Sequence, residues 1–289
     1  MAQDFSELLT KLNRLLDRVE RLVPDTAADE TDWDYQAWRW LRDGHGSRLV
    51  PVKRPHRVNL DDLLCIDRQK EEAVRNTLQF VQGHQANNIL LWGSRGTGKS
   101  TLIKSLFNAY VNQGLRLIEV HKEEMNNLPL LTDLLQERPE RFILFCDDLS
   151  FEASEPDYKA LKAALEGSIA APPENVLIYA TSNRRHLLPE FHAENQQAKV
   201  IDGELHLGDA LEEKISLSER FGLCLSFHPF SQDQYLQVVD HWLTKSGLPN
   251  TANENTRRAA LQWAGKRGGR SGRTARQFVI DWLGRQPNE

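Results

Sequence analysis

Cysteine is scarce in this chain: Cys65, Cys146 and Cys224 stand far apart and form no CxxC pair, which excludes a disulfide framework and leaves three reduced core residues. A bilayer-length apolar run is missing as well. The first residues, Met1-Ala2-Gln3-Asp4, carry an acid and lead into an amphipathic pattern, so neither a signal peptide nor a membrane span is expected and the expected compartment is the cytoplasm. Nor is there an excess of positive charge, because 36 Lys and Arg are set against 41 Asp and Glu for a net charge of −5. No global field therefore draws in nucleic acid, and DNA contact would need a local basic patch. Internal repeats and long low-complexity runs are absent too. What remains, 40% hydrophobic and 27% charged residues over 289 positions, is the composition of an ordinary globular chain with room for one large or two modest domains.

Residues 5–23 place Phe5, Leu8, Leu9, Leu12, Leu15, Leu16, Val19, Leu22 and Val23 between charged neighbours with a seven-residue recurrence. This predicts an amphipathic helix, packed on its own domain or serving self-association or a partner, that Pro24 ends. An acidic stretch follows, and then the aromatics Trp33, Tyr35, Trp38 and Trp40, read as packing residues at mixed helical spacing, with stacking on bases as the alternative. Residues 1–50 are thus expected to form a helical extension. Beyond it the punctuation changes. Apolar strands are expected at 88–92, 115–120, 141–146, 175–180 and 223–227, with helices at 101–113, 128–138 and 158–169. Near-continuous apolar strands alternating with helices point to an α/β fold with a parallel sheet covered on both faces. Pro229 closes that unit, and the rest reads as helices only. The expected division is 1–50, 51–228 and 229–289.

The strongest motif is Gly93-Ser94-Arg95-Gly96-Thr97-Gly98-Lys99-Ser100, a full match to GxxxxGK[ST] between an expected strand and an expected helix. Its glycines let backbone N–H groups turn inward around phosphate oxygens, and the helix that follows adds the positive end of its dipole. Lys99, expected to face solvent, would reach the outer phosphates, and the Ser100 hydroxyl would supply a hard oxygen to Mg²⁺. A second signal is Arg141-Phe142-Ile143-Leu144-Phe145-Cys146-Asp147-Asp148, a buried strand that delivers two carboxylates at the end where ligands of open α/β sheets bind. Asp147 is the expected magnesium partner, and Asp148 is placed to polarise an attacking water. The strand ending Ala180-Thr181-Ser182-Asn183 offers Asn183 to a terminal phosphate or to the water. Ser218-Glu219-Arg220-Phe221-Gly222 presents Arg220 as a charge stabiliser. Near the C-terminus Arg257, Arg258, Lys266, Arg267, Arg270, Arg273 and Arg276 concentrate positive charge, either as a solvated face or as contacts to nucleotide and to anionic partners including DNA.

In this order the motifs GSRGTGKST, FILFCDD, YATSN, SERFG and SGRTARQF resemble the AAA+ modules. The stretches NNILLWGSRGTGKS, DDLSFE and EEKISLSERFGL look particularly like a bacterial AAA+ family of unassigned function (domain of unknown function 815), and more distantly like replication-initiator and helicase-loader ATPases. The resemblance spans residues 48–283. It implies a P-loop NTPase with a C-terminal helical lid that uses ATP and Mg²⁺, with 93–101, which includes Thr101, as Walker A and Asp147 and Asp148 as Walker B. Asn183 would be sensor 1, Arg220 an arginine finger acting in trans within a homo-oligomer, and Arg276 the lid arginine, with Arg273 as the alternative. In one departure Asp148 stands where most AAA+ proteins carry glutamate, a side chain one methylene longer, which implies slow hydrolysis. The expected reaction is ATP hydrolysis driving a remodelling or loader-type machine on a protein client. The alternatives are a slowly hydrolysing nucleotide-gated switch and a P-loop small-molecule kinase.

Overall fold

The computed structural model describes residues 31–43, 46–150, 160–162, 164–165, 171–183, 199–201, 204–206, 219–248 and 253–285. The amphipathic helix expected over 5–23, and most of the helix expected over 158–169, lie outside the described residues. The chain builds one sheet of seven strands, with β1 (Ala37–Asp43), β2 (Gly46–Pro51), β3 (Ile89–Gly93), β4 (Leu115–Val120), β5 (Arg141–Cys146), β6 (Val176–Ser182) and β9 (Leu223–Phe227) in the spatial order β2-β1-β4-β5-β6-β3-β9. All neighbours pair in parallel except the antiparallel β1–β2 edge. Two short strands, β7 (Lys199–Ile201) and β8 (Glu204–His206), form a separate antiparallel ribbon within the long polar connection before β9.

Both faces of the sheet are covered, which is why its central strands are apolar without alternation. In β5 every residue from Phe142 to Cys146 is buried. On one face Ile89, Leu91 and Phe227 pack with Ala73 and Phe80 of α1 (Asp67–Val81) and with Leu102 and Leu106 of α2 (Lys99–Tyr110). On the other, Leu90, Ile118 and Phe142 pack with Leu128, Leu131 and Leu135 of α3 (Leu128–Leu135). A buried hydroxyl fixes the first layer: Tyr179 of β6 lies 2.9 Å from Thr77 Oγ1 and accepts from Asn76 Nδ2 at 3.2 Å, both on α1. Burial pushes that phenol up to about 12, so it stays a neutral partner in any working pH.

After β9 the regular elements among the described residues are helices, as expected: α4 (Gln232–Lys245), α5 (Glu254–Lys266) and α6 (Gly272–Gly284). A capping box at Ser231 and Gln234 starts α4, while Asn253 and Ser271 cap α5 and α6 with their side chains. Each such cap satisfies an otherwise orphan N–H. The three helices pack on one another through Tyr235, Ala260, Ala264, Ala275 and Phe278, with Tyr235 Oη donating to Ala260 O across 3.1 Å.

The region expected to be helical up to residue 50 is different from Ala37 onward. Residues 37–43 and 46–51 form the β1–β2 pair on the edge of the main sheet, so they belong to the α/β unit and not to an extension in front of it. Trp38 and Trp40 have period two and both point into the α3-side core at 1% and 0% exposure, while Arg39 between them points away and meets Glu119 of β4 at 3.0 Å. Alternation of this kind suits a strand, and the pairing partner that makes it one lies some eighty residues away in sequence. Trp33 is also structural, at 5.5 Å from the Trp38 ring and 6.2 Å from that of Phe142.

Candidate functional site

The loop that follows β3 is tied at both ends. Gly93 has φ 126°, and a Cβ there would stand 2.1 Å from the carbonyl oxygen of Phe227 on β9. Only a residue without a side chain allows that approach, and the amide of Ser94 uses it to donate to Phe227 O at 2.9 Å. Gly96, with φ 77°, sits against the lid: a Cβ would meet Ser271 Oγ at 2.8 Å, and the amide of Arg273 donates to Gly96 O at 3.1 Å. Thr97 Oγ1 donates to Ser94 O at 2.7 Å, closing the loop on itself. The helix α2 then begins at Lys99 with Gly98 as its left-handed cap and no side-chain cap bond, so the free N–H groups of its first turn face the loop.

Lys99 differs from expectation. It is not solvent-facing but 7% exposed, and its Nζ donates to Gly93 O at 2.7 Å, Ser94 O at 2.8 Å and Asn183 Oδ1 at 3.1 Å. An ammonium has three donors, and all three are engaged by protein oxygens. Burial holds its pKa below the ordinary 10.5, and the charges of Arg273 and Arg95 act in the same direction against the opposing pull of Asp148 and Asp147.

The acidic pair is reached from two sides. From the loop, Ser100 Oγ donates to Asp147 Oδ1 at 2.6 Å. From β6, Thr181 Oγ1 donates to the same Asp147 Oδ1 at 2.6 Å and accepts from the Asp148 amide at 2.8 Å. The Asp148 backbone is left-handed, with φ 52°, an uncommon conformation for a residue with a side chain. Leu149 N to Thr181 O at 2.7 Å and Ser182 Oγ to Leu149 O at 2.7 Å hold the backbone beyond it. Asn183 Nδ2 donates to Asp148 Oδ1. Thr181 is thus a member of the site that sequence reasoning passed over. Its signal was the run of small polar residues at the end of an otherwise apolar strand.

These groups line one cleft of about 620 Å³, within the roughly 300–1,000 Å³ usual for small-molecule sites. It lies at the C-terminal ends of β3, β5 and β6, and its floor includes Arg95, Gly96, Thr97, Gly98, Ser100 and Thr101. Val58, Asp62, Leu63 and Leu64 wall it on the side preceding α1, and Trp242 and Ile280 wall it on the lid side. Asp62 joins those two walls, accepting from Lys245 Nζ and lying 3.1 Å from His241 Nε2, both on α4. Burial alone would raise its pKa, but the hydrogen bonds and charges of Lys245 and His241 prevail and hold it below 3.8. Both lid arginines line the cleft, and the Arg276 guanidinium rests over the Trp242 ring at 5.0 Å.

Of the expected site residues, Gly93, Ser94 and Arg220 are not among the lining groups; the first two form the start of the loop, whereas Arg220 lies elsewhere. It stands just before β9, whose Leu223 pairs with Ile89 while its far end, Phe227, pairs with Gly93. At about 3.3 Å per residue the whole strand separates Arg220 from the loop of its own chain. Neighbouring Phe221 is 3% exposed and anchors this point in the α3-side core.

Comparison with known proteins agrees with this architecture. A family profile described as "Protein of unknown function (DUF815)" matches residues 33–286. Among solved structures, a point mutant of Thermotoga maritima RuvB is similar with a TM-score of 0.50 and 16% identity, covering 77% of this chain and 63% of that one. Aeropyrum pernix Orc1, solved in complex with DNA, is similar with a TM-score of 0.51 and 14% identity, covering 80% and 65%. The chain therefore spans less than two thirds of either structure, and at such identities the likeness is one of fold. No curated protein matches the chain. Since the profile runs from the tryptophans ahead of the edge strand through the loop and acidic pair to the end of the lid, the chain belongs to the DUF815 family and carries the P-loop fold of the AAA+ proteins.

Proposed function

We propose that the chain binds MgATP and hydrolyses it to ADP and phosphate, and that it works as a remodelling or loader-type machine in which nucleotide state sets the relation between lid, sheet and neighbouring subunit. One observation carries this reading. Lys99 and Ser100 at the start of α2, Asp147 and Asp148 after β5, and Thr181 and Asn183 at the end of β6 belong to a single hydrogen-bonded network bordering one cleft.

The donor set fits a phosphate-bound magnesium. Ser100 Oγ and Asp147 Oδ1, 2.6 Å apart, are two hard oxygens of the kind Mg²⁺ takes from a P-loop protein, the rest of its shell coming from water and phosphate. When bound, the ion neutralises charge on the phosphate oxygens. The residues supply the remainder. The amides of the loop and of the first turn of α2 face phosphate oxygens, and Lys99 adds a full positive charge. Asp148 accepts the proton of the attacking water, oriented together with Asn183. Arg273 and Arg276 bring the lid to the phosphates, and the backbone bond from Arg273 to Gly96 ties lid position to the loop. Arg220, remote from its own cleft, serves the cleft of the next subunit in a homo-oligomer, where a charge added in trans strengthens transition-state stabilisation. Exposed Arg257, Lys266, Arg267 and Arg270 on the lid give an anionic client, nucleic acid included, a surface on which to dock.

A second reading has an observation of its own. Asp148 is shorter than glutamate and already carries a hydrogen bond from Asn183, which favours a switch that binds ATP and turns over slowly. Phosphate release by purified protein, followed beside calorimetric binding of ATP, tests both. Binding with steady release supports the machine, binding with rare release supports the switch, and no binding removes both.

A further inference from the structure

Asn183 has a double engagement that a simple phosphate sensor does not need. Its Oδ1 accepts from Lys99 Nζ at 3.1 Å while its Nδ2 donates to Asp148 Oδ1, so one amide bridges the phosphate-binding cation and the acid that is to activate water. On the other side of Asp148, Thr181 Oγ1 accepts from its amide at 2.8 Å and donates to Asp147 at 2.6 Å. The hydroxyl has one proton, which is spent on Asp147, and its lone pair takes the Asp148 N–H. Together with the bond from Leu149 N to Thr181 O at 2.7 Å, these bonds flank the left-handed backbone at Asp148, φ 52°, on both sides. A non-glycine residue in this region persists only where its surroundings over-determine it.

We propose that Thr181 and Asn183 are positioning residues for the acidic pair, Thr181 as a fixed hinge and Asn183 as a releasable clasp that phosphate occupancy at Lys99 opens. The inference rests on the proposed reading of the cleft as an MgATP site. Its physical basis is competition for a limited set of donors. Lys99 has no free N–H, so a phosphate oxygen that accepts from it displaces Gly93 O, Ser94 O or Asn183 Oδ1. The two carbonyls belong to the loop and stay beside the ammonium, whereas the amide of Asn183 is a side chain free to rotate. Once its Oδ1 partner is withdrawn, the amide is held at one end only, and the terminal phosphate offers its Nδ2 a more highly charged acceptor. Asp148 then loses the bond that occupies its carboxylate and can accept from water. Binding and activation of the acid are thereby linked through one side chain, while Thr181 keeps Asp147 at Ser100 throughout.

The test uses the full chain labelled with ¹⁵N-asparagine. The Asn183 side-chain amide signal is assigned by its loss in Asn183→Asp. In protein without nucleotide, Lys99→Met and Asp148→Ala should each shift this signal, because each removes one end of the clasp. Thr181→Val should shift it as well through the hinge, and Thr181→Ser should restore its position. Adding magnesium and adenylyl imidodiphosphate should move the wild-type signal away from its clasped position, with occupancy measured on the same sample by calorimetry. The proposal is overturned if neither Lys99→Met nor Asp148→Ala moves the signal. It is equally overturned if calorimetry shows the analogue bound while the Asn183 signal stays in place, or if Thr181→Val leaves the signal unmoved. If the wild-type protein binds no nucleotide, the functional reading and the release step fail together, and the clasp itself is judged by the variants alone.

Discussion

Replacing Lys99 by methionine separates ligand binding from folding. The side chain is 7% exposed, with three oxygen acceptors within 3.1 Å, so it is both a prospective phosphate ligand and part of the packing beneath the loop. Two charge-assisted contacts to phosphate are worth about 1.5–3 kcal/mol each, and losing both weakens binding by about 3–6 kcal/mol, or ~10²–10⁴-fold in Kd at roughly 1.4 kcal/mol per tenfold. The effect on stability is of another order. Methionine fills a similar unbranched volume, and it relieves the burial that disfavours the charged amine. Asn183 lines the cleft, and water entering beside it where the ammonium stood can satisfy the freed oxygens, so the net change should stay within about 1 kcal/mol. Alanine at the same position leaves a void under the loop and should cost about 2 kcal/mol more. Calorimetry with ATP and thermal melting of both variants measure the two quantities. An unchanged affinity in Lys99→Met would refute the phosphate-binding assignment, and a collapse of its melting temperature would refute the separation of roles.

Other outcomes follow from the same geometry. Asp147→Ala should remove the magnesium dependence of nucleotide binding, whereas Asp148→Asn should keep MgATP and lose hydrolysis, since an amide is a poor acceptor for the proton of water; wild-type phosphate release from both variants would show the pair to be misassigned. Arg220→Ala should bind ATP and release phosphate poorly, and mixing it with the Lys99 variant should restore part of the activity in mixed assemblies; wild-type turnover by the single variant would remove the trans role. Asp62→Asn tests the link between α4 and the wall before α1. The folded carboxyl lies below 3.8, so its contribution, about 1 kcal/mol for a partly exposed pair, is present above that value and lost as pH falls through the folded pKa. Wild-type stability should therefore converge on that of Asp62→Asn in acid titrations of chemical unfolding, and a constant difference at every pH would be the contrary result. Gly93→Ala should impair folding or displace β9, because its methyl would overlap Phe227 O at 2.1 Å; a normal melting temperature would argue against that close approach.

The local structure of the loop and the strand ends was legible in the sequence because it is written in contiguous residues. The phosphate loop needs glycines at fixed places in one short segment, and the strand Arg141–Cys146 is apolar throughout because both of its faces are covered, so the β5 boundaries agree with the expectation residue for residue. The pairing of residues 37–51 was not legible. Trp38 and Trp40, two residues apart, share a face on a strand but not on a helix, and what the local pattern does not give is the pairing, with β2 beside it and with the distant β4, where Glu119 meets Arg39. Burial of Lys99, the double role of Thr181 and the left-handed turn at Asp148 have the same origin. Each depends on a partner delivered by another strand end. Sequence alone determined the glycine-rich loop and the apolar strand that ends in the acidic pair, since spacing along one segment encodes a loop or a strand end. Tertiary structure alone decided which of them touch, which donors are already taken and which cation, Arg220, stands apart, because hydrogen bonds and burial are set by the order of strands in the sheet and not by their order in the chain.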